Sequence, residues 1–341
     1  MTRIVDVARQ AGVSTATVSR VLNGKTVRPE LATAVHAAVA ELGYVPDRTA
    51  RSLRRRSSDV VALVLPDVEN PFFTAVARGV EDVAQQAGYS VVLCNTDDDP
   101  AKEARYLDVA EHENMAGVLI AAAPGAPPLG NLLARGRAVV ALDRAVRDDV
   151  DQVTFDNAAL GRRATRSLLD RGFRRIACVT GPRETSTAAQ RAEGWRAALA
   201  EEGLDAPDEL LIHANFRVDG GYAATAGLLD AAGAPDAVLA TNNLVGVGAL
   251  RALADRRVPL AGSADDRGTA TGSAATGVGI VGDLPFATSR TDQVALLPLN
   301  PRGLGVTAAE MLLERLDGLD SPARHVVLDG TPAADAGRVP A

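Results

Sequence analysis

Two short helices joined by a tight turn are predicted at the start of the chain, and this segment constrains the fold more than any other. Apolar residues recur at helical spacing through IVDVARQAGVSTATVSRVLN, which runs from Ile4 to Asn23. Gly12 lies where the chain must turn, and the hydroxyl of Ser14 can cap the second helix by accepting a backbone N–H. We therefore predict a helix pair in which an apolar stripe beginning at Val18 packs back onto the first helix.

The outer face of the predicted second helix carries small, polar and basic side chains. It presents Thr15, Ala16, Ser19 and Arg20. Such a helix fits the major groove of DNA, with its first turns against base edges and its hydroxyl groups near phosphates. An ordinary helical hairpin is the alternative interpretation. A third helix, predicted over 27–42, would complete a small head.

Charge is distributed unevenly along the 341 residues. The formal net charge is −7, yet residues 1–59 hold ten Lys or Arg against five Asp or Glu. A basic head on an acidic body is typical of a DNA-binding head joined to a sensing or enzymatic body. Because phosphates repel an acidic body, we expect DNA to be bound through the head alone.

A short, strongly basic segment follows the head. Its sequence, DRTARSLRRR over 47–56, includes Arg51 and a single large apolar residue, Leu53. The segment is too short to be a stable helix alone, so we predict that it becomes ordered against DNA. A lone leucine among arginines can insert between base steps in the minor groove and kink the duplex. A flexible charged linker is the alternative interpretation.

From residue 60 onwards the pattern changes to alternating strands and helices. The run VVALVLP is typical of a strand buried on both faces, and βαβ alternation continues through most of the remaining chain. Alternation of this kind predicts parallel sheets. The predicted fold class is an all-α helix-turn-helix head followed by an α/β body of two doubly wound parallel-sheet subdomains. Two such halves usually face each other across a cleft, where ligands bind at the carboxyl ends of strands.

Polar and aromatic residues recur where the predicted strands end. They are Asn70, Phe72, Phe73, Asp143, Arg144, Asp156, Asn157, Thr185, Ser186, Thr187, Phe216 and Asn242, with Arg191 on the helix that follows Thr187. Aromatic faces combined with Asp, Asn and Arg suit a polyhydroxylated or heterocyclic small molecule. Each residue alone could equally be a cap or a surface group, so only the recurrence of the set indicates a site. Trp195, on the same helix as Arg191, is predicted to lie in the core.

Other kinds of site are not favoured by the sequence. Cys94 and Cys178 are predicted to be buried free thiols, because their spacing fits neither a metal site nor a disulfide framework. No apolar run reaches membrane-spanning length, so we expect a cytoplasmic protein without membrane contact. Residues 277–282 match G-x-G-x-x-G, but a dinucleotide site is not favoured because no preceding strand or clear following helix is evident.

The chain resembles the LacI/GalR family of bacterial transcription regulators over nearly its whole length. The most specific matches are DVARQAGVSTATVSRVLN over 6–23, Gly43 and Tyr44 with Pro46, and ARSL over 50–53. Further matches include NPFF over 70–73 and DLPFA over 283–287. The resemblance implies a homodimer in which each head reads half of a palindromic operator and the hinge helices pair in the central minor groove. It also implies a body similar to periplasmic sugar-binding proteins, which controls DNA binding allosterically.

The resemblance further implies roles for individual residues. Thr15 and Ala16 take base-reading positions, and Arg20 makes a further base or phosphate contact. The remaining DNA-binding set comprises Ser14, Thr17, Ser19 and Asn23 as backbone contacts, Leu53 as the intercalating residue, and Arg51. The effector-binding positions are Phe72, Phe73, Thr187, Arg191, Phe216, Asn242 and Asp283. The family's usual G-F-D-D before L-P-F-A is one residue short here, so its effector-binding Asp is either Asp283 or absent.

These observations predict a domain plan and a function. Residues 1–46 form the helix-turn-helix domain, 47–58 the hinge, and 59–341 the effector-binding and dimerisation domain. We divide the last into an N-subdomain, about 59–155 plus 301–320, and a C-subdomain, about 156–298 plus 322–341.

The predicted function is a ligand-responsive repressor of carbohydrate-utilisation genes. Its predicted partners are double-stranded operator DNA, a second copy of the chain and a small-molecule effector, taken to be a sugar, with no metal or other cofactor. A purine- or nucleoside-responsive regulator of the same family is the alternative. From different classes, a stand-alone small-molecule-binding protein and a sugar-modifying enzyme remain open, although no nucleophile–base set, metal spacing or phosphate loop supports an enzyme.

Overall fold

The chain divides into two structural units, Met1–Ser58 and Asp59–Ala341. The computed structural model describes residues 2–22, 26–44, 58–268, 275–284 and 293–330. Three of the predicted DNA-binding residues, Asn23, Arg51 and Leu53, lie outside the described residues, as does nearly all of the predicted hinge.

The first unit contains a three-helix head. Its helices are α1 Ile4–Gln10, α2 Thr15–Leu22 and α3 Pro29–Leu42. One valine from each helix, Val7, Val18 and Val35, is fully buried in their common core. The turn between α1 and α2 contains Gly12 at φ +65°, a left-handed conformation that favours glycine, as the sequence predicted.

The second unit begins with a parallel sheet, which we call the first lobe together with its helices. Among the described residues this sheet has the strand order β11-β5-β4-β3-β1-β2. Its strands are β1 Val60–Leu65, β2 Ser90–Asn95, β3 Gly117–Ile120, β4 Ala138–Leu142, β5 Asp151–Phe155 and β11 His325–Leu328. Its helices are α4 Pro71–Gln86, α5 Pro100–His112, α6 Gly130–Ala134 and α11 Pro301–Leu316. Alternate residues of β1 enter two separate hydrophobic clusters, because helices cover both faces of the sheet.

The second lobe is a parallel sheet of order β10-β9-β8-β6-β7 with its own helices. Its strands are β6 Ile176–Thr180, β7 Leu211–His213, β8 Ala237–Ala240, β9 Gly277–Val281 and β10 Val294–Leu297. Its helices are α7 Asn157–Leu169, α8 Ser186–Glu201, α9 Val218–Asp230 and α10 Asn243–Asp255. The two parallel sheets confirm the predicted fold class.

Helices α7 and α8 approach each other at two glycines. A Cβ atom on Gly161 would lie 2.8 Å from the carbonyl carbon of Arg191, and one on Gly194 would lie 2.6 Å from the backbone nitrogen of Arg162. Both distances are well inside ordinary van der Waals contact. The absence of two side chains therefore allows the backbones of the two helices to touch. This close packing fixes the position of Arg191, on α8, relative to α7.

Three details of the sequence prediction are corrected by the strand pairing. Strands β5 and β10 were not predicted. Strand β11 pairs in parallel with β5, His325 opposite Gln152, and so belongs to the first lobe. Our placement of residues 322–341 in the second subdomain is therefore wrong for this strand.

Candidate functional site

The exposed face of α2 carries the head's candidate DNA-binding residues. The hydroxyl oxygen of Ser14 accepts a hydrogen bond from the backbone nitrogen of Thr17 at 3.1 Å, which confirms the predicted helix cap. Thr15, Ala16 and Arg20 are exposed, whereas the side of the helix that contains Val18 is buried. The surface therefore has the form that a major groove can accept, with small side chains in the first turn and a cation one turn later.

A cleft of about 330 Å³ lies in the second unit, at the carboxyl ends of strands from both lobes. All of the predicted effector-binding residues line it: Phe72, Phe73, Thr187, Arg191, Phe216, Asn242 and Asp283. Most of the polar and aromatic residues predicted after strands thus converge in one cavity, which is the place that parallel sheets provide for ligands. Four members of that set do not line it: Asp156, Asn157 and Ser186 line a separate pocket, and Thr185 lines neither.

The aromatic wall of the first lobe is held by the start of α4. The side chain of Asn70 caps this helix by accepting a hydrogen bond from the backbone nitrogen of Phe72 at 3.0 Å. The rings of Phe72 and Phe73 meet edge to face, with 5.0 Å between centroids. Phe73 is only 6% exposed and belongs to the hydrophobic core, so Phe72 offers the larger aromatic surface to the cleft.

Arg191 is a buried cation held by two fixed acceptors. Its Nε donates to Oδ1 of Asn157 at 2.8 Å, and its Nη1 donates to the carbonyl oxygen of Thr241 at 2.6 Å. Burial lowers the pKa of the guanidinium group, and the nearby carboxylate of Asp143 opposes that effect. An arginine in this setting stays charged, because its pKa begins far above neutrality. Its orientation is therefore set before any ligand binds.

Asp143 and Arg144 follow β4 and form the most buried charged pair in the cleft lining. Asp143 adopts φ +65°, an uncommon conformation for a residue with a side chain. Burial raises the pKa of Asp143, while Arg144 and Arg191 act to lower it. Arg144 donates from Nη1 to the carbonyl oxygen of Ala122 at 2.8 Å and to Oδ1 of Asp98 at 2.5 Å.

The N–H group at Nε of Arg144 donates no hydrogen bond among the described residues. It is buried without a hydrogen-bond acceptor among the described residues, and the carboxylate oxygen Oδ2 of Asp143 is 3.9 Å away. A buried N–H without an acceptor costs about 1–3 kcal/mol. Asp143 and Arg144 both line the cleft, so the lining offers a carboxylate and a guanidinium group to a ligand hydroxyl, although Nε itself is buried.

The opposite wall is organised by Phe216 and Asn242. The ring of Phe216 lies directly over Gly181, where a Cβ atom would come within 2.6 Å of the ring edge. Asn242 caps α10 by accepting from the backbone nitrogen of Val245 at 2.7 Å, and its amide donates to the carbonyl oxygen of Phe216 at 3.1 Å. Asn242 thus holds the aromatic wall in place as well as lining the cleft.

Asp283 lies beyond the end of β9, at the edge of the described residues. Its side chain lines the cleft although the residue is exposed, and partial burial raises the pKa of its carboxyl group. Residues 285–292, which follow it, lie outside the described part of the chain.

Several cleft residues were missed as site residues by the sequence reasoning. Asp97 and Asp98 follow β2, and Asn215, Arg217 and Asn243 lie in loops or at a helix start of the second lobe. The acidic run that follows β2, Thr-Asp-Asp-Asp, was a usable signal because it occupies the same strand-end position as the residues that were chosen.

Within the residues the structure describes, some classes of site are absent. No group of three or more His, Cys, Asp and Glu side chains is arranged to hold a metal ion, and no helix is long and apolar enough to cross a membrane. The G-x-G-x-x-G segment forms strand β9 itself, not the turn before a helix that a dinucleotide site requires. Trp195 is fully buried and donates from its ring nitrogen to the carbonyl oxygen of Ile176, which confirms its predicted core position.

Comparison with known proteins matches both units. Residues 3–47 match the family described as bacterial regulatory proteins, lacI family. Residues 58–324 match the family described as periplasmic binding proteins and sugar binding domain of LacI family. The ribose operon repressor of Escherichia coli K12 is 38% identical over 265 residues, which cover 76% of this chain and 80% of that protein.

Two solved structures extend the likeness over the whole chain. The complex of the transcriptional regulator CelR with cellobiose has a TM-score of 0.69 at 29% identity, covering 96% of this chain and 97% of the other. The lac repressor dimer bound to operator and an anti-inducer has a TM-score of 0.77 at 22% identity, with 96% of each chain covered, and this likeness concerns the fold. The chain therefore belongs to the LacI family of bacterial transcriptional repressors, with a helix-turn-helix head and a periplasmic-binding-protein-like sugar-binding domain, and it is not an enzyme.

Proposed function

We propose that this protein represses genes of carbohydrate use and that its effector is a neutral sugar of a single ring, with D-ribose the first candidate. The protein acts in the cytoplasm, where bacterial DNA lies. The ribose operon repressor of E. coli and the cellobiose-bound CelR support a sugar as the class of effector.

The observation that carries this proposal is the meeting of guanidinium, carboxylate and aromatic groups from both lobes in one cleft. A sugar hydroxyl is both a donor and an acceptor, so such hydroxyl groups can donate to Asp143 and accept from the guanidinium groups of Arg144 and Arg191. Phe72 and Phe216 supply apolar ring surface for the C–H faces of the sugar. Hydrogen bonds to charged groups of this kind contribute about 1.5–3 kcal/mol each.

Size and charge restrict the effector further. A cavity of about 330 Å³ lies near the lower end of the range of roughly 300–1,000 Å³ for small-molecule sites, which favours one ring over two. Carboxylates outnumber guanidinium groups in the lining: Asp67, Asp97, Asp98, Asp143 and Asp283 against Arg144, Arg191 and Arg217. Lys102 offsets the charge of Asp97, which leaves four carboxylates against three guanidinium groups. The lining therefore has no surplus of positive charge to bind a phosphate, and the proposed effector carries no charge.

The head supplies the proposed contacts with DNA. We assign base reading to Thr15 and Ala16 and a further contact to Arg20. The proposed contacts with the DNA backbone are made by Ser14, Thr17, Ser19 and Asn23. From the sequence alone, we assign to Leu53 the wedge between base steps. Replacing Leu53 by Ala should then weaken binding to the operator much more than binding to random duplex. Equal losses on both duplexes would refute the wedge.

A second copy of the chain is the proposed protein partner. Strand β2 is an edge strand of the first lobe, and it exposes Val92 by 40% and Leu93 by 49% of their surfaces. Exposed apolar side chains on an unpaired edge favour pairing with another chain. The lac repressor, whose fold is similar, is a dimer on its operator. Leu93→Asp should therefore yield monomers in light scattering at concentrations where the wild type is dimeric.

Control of DNA binding follows from linkage. An effector changes operator affinity only to the extent that it prefers one arrangement of the two lobes over the other. The test is titration calorimetry of the purified protein with D-ribose, ribose 5-phosphate, cellobiose and hypoxanthine, followed by operator binding with and without the ligand found. We expect ribose to bind and the phosphate to fail. Binding of hypoxanthine alone would refute the sugar and favour a purine effector.

A further inference from the structure

Two oppositely charged side chains meet across the mouth of the cleft. Nη2 of Arg217, in the second lobe, lies 3.8 Å from Oδ1 of Asp97, in the first lobe. Both residues line the cavity, yet their side chains are 44% and 50% exposed. The Arg217–Asp97 pair is in contact with both the cavity and the solvent, so it lies at the rim of the cleft, between a bound ligand and bulk solvent.

Asp97 is fixed in place by its own lobe. Its carboxylate accepts from Nζ of Lys102 at 2.6 Å and from Nδ2 of Asn95 at 2.7 Å. The hydrogen bond from Lys102 is the main cause that holds the pKa of Asp97 below its usual value, so the group is ionised at neutral pH. Asp97 and Asp98 adopt φ values of +56° and +58°, in the left-handed region that Asp enters more often than most residues with side chains. The acceptor side of the rim contact is therefore built in advance.

Arg217 is tied to the ligand-facing wall. Its backbone nitrogen donates to Oδ1 of Asn215 at 3.1 Å, and the chain then enters α9 at Val218. The preceding residue, Phe216, is the aromatic wall whose carbonyl oxygen is held by Asn242. Any ligand that displaces Phe216 outwards will also displace Arg217 from Asp97.

A second contact joins the lobes deeper in the cleft. Nδ2 of Asn243 donates to Oδ1 of Asn70 at 3.1 Å, and both side chains are buried. Asn70 is also the cap of α4. The cleft is thus bounded by a buried amide contact inside and by a half-exposed ion pair outside.

We infer that Arg217 and Asp97 form a gate at the cleft mouth, which limits the effector to one sugar ring and slows its release. A second sugar unit attached to the bound ring would have to extend out through the cavity mouth. It could do so only if the contact between Arg217 and Asp97 were broken. The inference rests on the proposed sugar effector and adds to it the residues that determine its size. The pair is exposed, so its contribution is small in energy and acts on ligand exchange more than on folding.

The test compares Arg217→Ala, Asp97→Asn and the double variant with Arg175→Ala. Arg175 is the matched control, because it pairs with Glu209 at 3.3 Å within the second lobe, away from the cleft, and is similarly exposed. The probes are D-ribose, its methyl glycoside and cellobiose. The measurements are Kd by calorimetry and the dissociation rate by stopped-flow competition, each at low salt and at 1 M salt.

We expect each gate variant to raise the ribose dissociation rate by about 1.5- to 5-fold, which is the range for exposed ion pairs. The double variant should be no worse than either single one, and the effect should vanish at 1 M salt because screening removes the pair. The affinity of the methyl glycoside relative to ribose should rise in the same variants, whereas the control should match the wild type.

Three outcomes would overturn the inference, and they are distinct. If the wild type binds ribose and the gate variants behave like Arg175→Ala, the gate alone is wrong. If the wild type binds cellobiose more tightly than ribose, the limit to one ring is wrong and the cleft mouth admits a second unit. Failure of the wild type to bind either sugar would overturn the proposed effector class, and the gate with it.

Discussion

The glycine contact between α7 and α8 gives a quantitative prediction, because it connects helix packing to the position of Arg191. A methyl group on residue 161 would lie 2.8 Å from the carbonyl carbon and 2.9 Å from Cα of Arg191, and closer still to its carbonyl oxygen. These are backbone atoms, so they cannot turn aside as a flexible side chain could. Helix α8 must move by roughly 1 Å to restore ordinary contact distances.

The expected cost of Gly161→Ala follows from two opposing effects. Overpacking against backbone costs about 1–3 kcal/mol, and we take the upper end because no side chain can yield. Alanine is favoured over glycine inside a helix by roughly 0.5–1 kcal/mol. The net expectation is a loss of about 2 kcal/mol in the free energy of unfolding of the second unit. The matched control is Gly227→Ala in α9, where a new Cβ would have no neighbour within 4 Å, so this variant should be neutral or slightly stabilised.

Urea unfolding followed by tryptophan fluorescence is the appropriate assay. Trp195 is the only tryptophan in the chain, and it is buried on α8, one residue after Gly194. The same displacement should misplace Arg191 and weaken effector binding about tenfold or more, since a hydrogen bond to a charged group contributes about 1.5–3 kcal/mol. If Gly161→Ala were as stable as Gly227→Ala and bound the effector with unchanged Kd, the packing argument would be wrong.

Three further predictions concern single side chains. Arg144→Ala should cost about 3–5 kcal/mol in urea unfolding at pH 7, because it leaves the buried carboxylate of Asp143 and the partly exposed carboxylate of Asp98 without their cation. A loss below about 1 kcal/mol would contradict this ion-pair network. Ser14→Ala should destabilise the head by about 1 kcal/mol through loss of its cap on Thr17, measured by hydrogen exchange of head amides in the full chain, with the amides of the second unit unaffected. Burial raises the pKa of Asp151, but hydrogen bonds from Arg315 and Arg324 outweigh burial, so the net pKa is lowered. The ionised carboxylate therefore stabilises the fold above about pH 4, and this stabilisation is lost as the pH falls. Asp151→Asn should accordingly be less stable than the wild type at pH 7, and the difference should shrink below about pH 4; a constant difference between pH 7 and pH 3 would contradict this.

The sequence was sufficient where local pattern determines structure. The VVALVL run of β1 is apolar at every position, because helices cover both faces of its sheet, and its prediction as a buried strand is confirmed. The strand β5 was missed because its sequence, DQVTF, mixes polar and apolar residues although all five are buried. Gln152 and Thr154 are tolerated there because their side chains bond to Val146 and His325, partners that no local pattern reveals.

The sheet to which a strand belongs could not be predicted from local sequence pattern, for the same reason. Strand β11 reads as an ordinary short strand, and only its pairing with β5, about 170 residues earlier in the chain, assigns it to the first lobe. That pairing is reinforced by Asp151, which accepts from both Arg315 and the backbone nitrogen of Arg324. Long-range ion pairs of this kind depend on the finished fold, so their members look like ordinary surface charges in the sequence.

The cleft residues illustrate a different limit, since a single side chain can both line a site and build it. Asn242 lines the cleft, but its oxygen caps α10 and its amide holds Phe216, so its replacement would remove structure before it removed a ligand contact. Loss of effector response in such a variant would therefore not identify a binding residue.

Arg144 is the more informative position, because one of its buried N–H groups lacks an acceptor among the described residues while its other contacts hold it in place. A ligand that contacts Arg144 in the first lobe and Arg191 in the second gains most affinity in the arrangement of lobes that brings both residues to the cleft. Only such a difference in affinity between arrangements can change DNA binding, and a coupling of about 1–3 kcal/mol is the usual size of the effect. An effector that contacts Arg144 more strongly should therefore change operator affinity more. A sugar analogue that lacks the hydroxyl contacting Arg144 should bind the protein more weakly and should change operator affinity less.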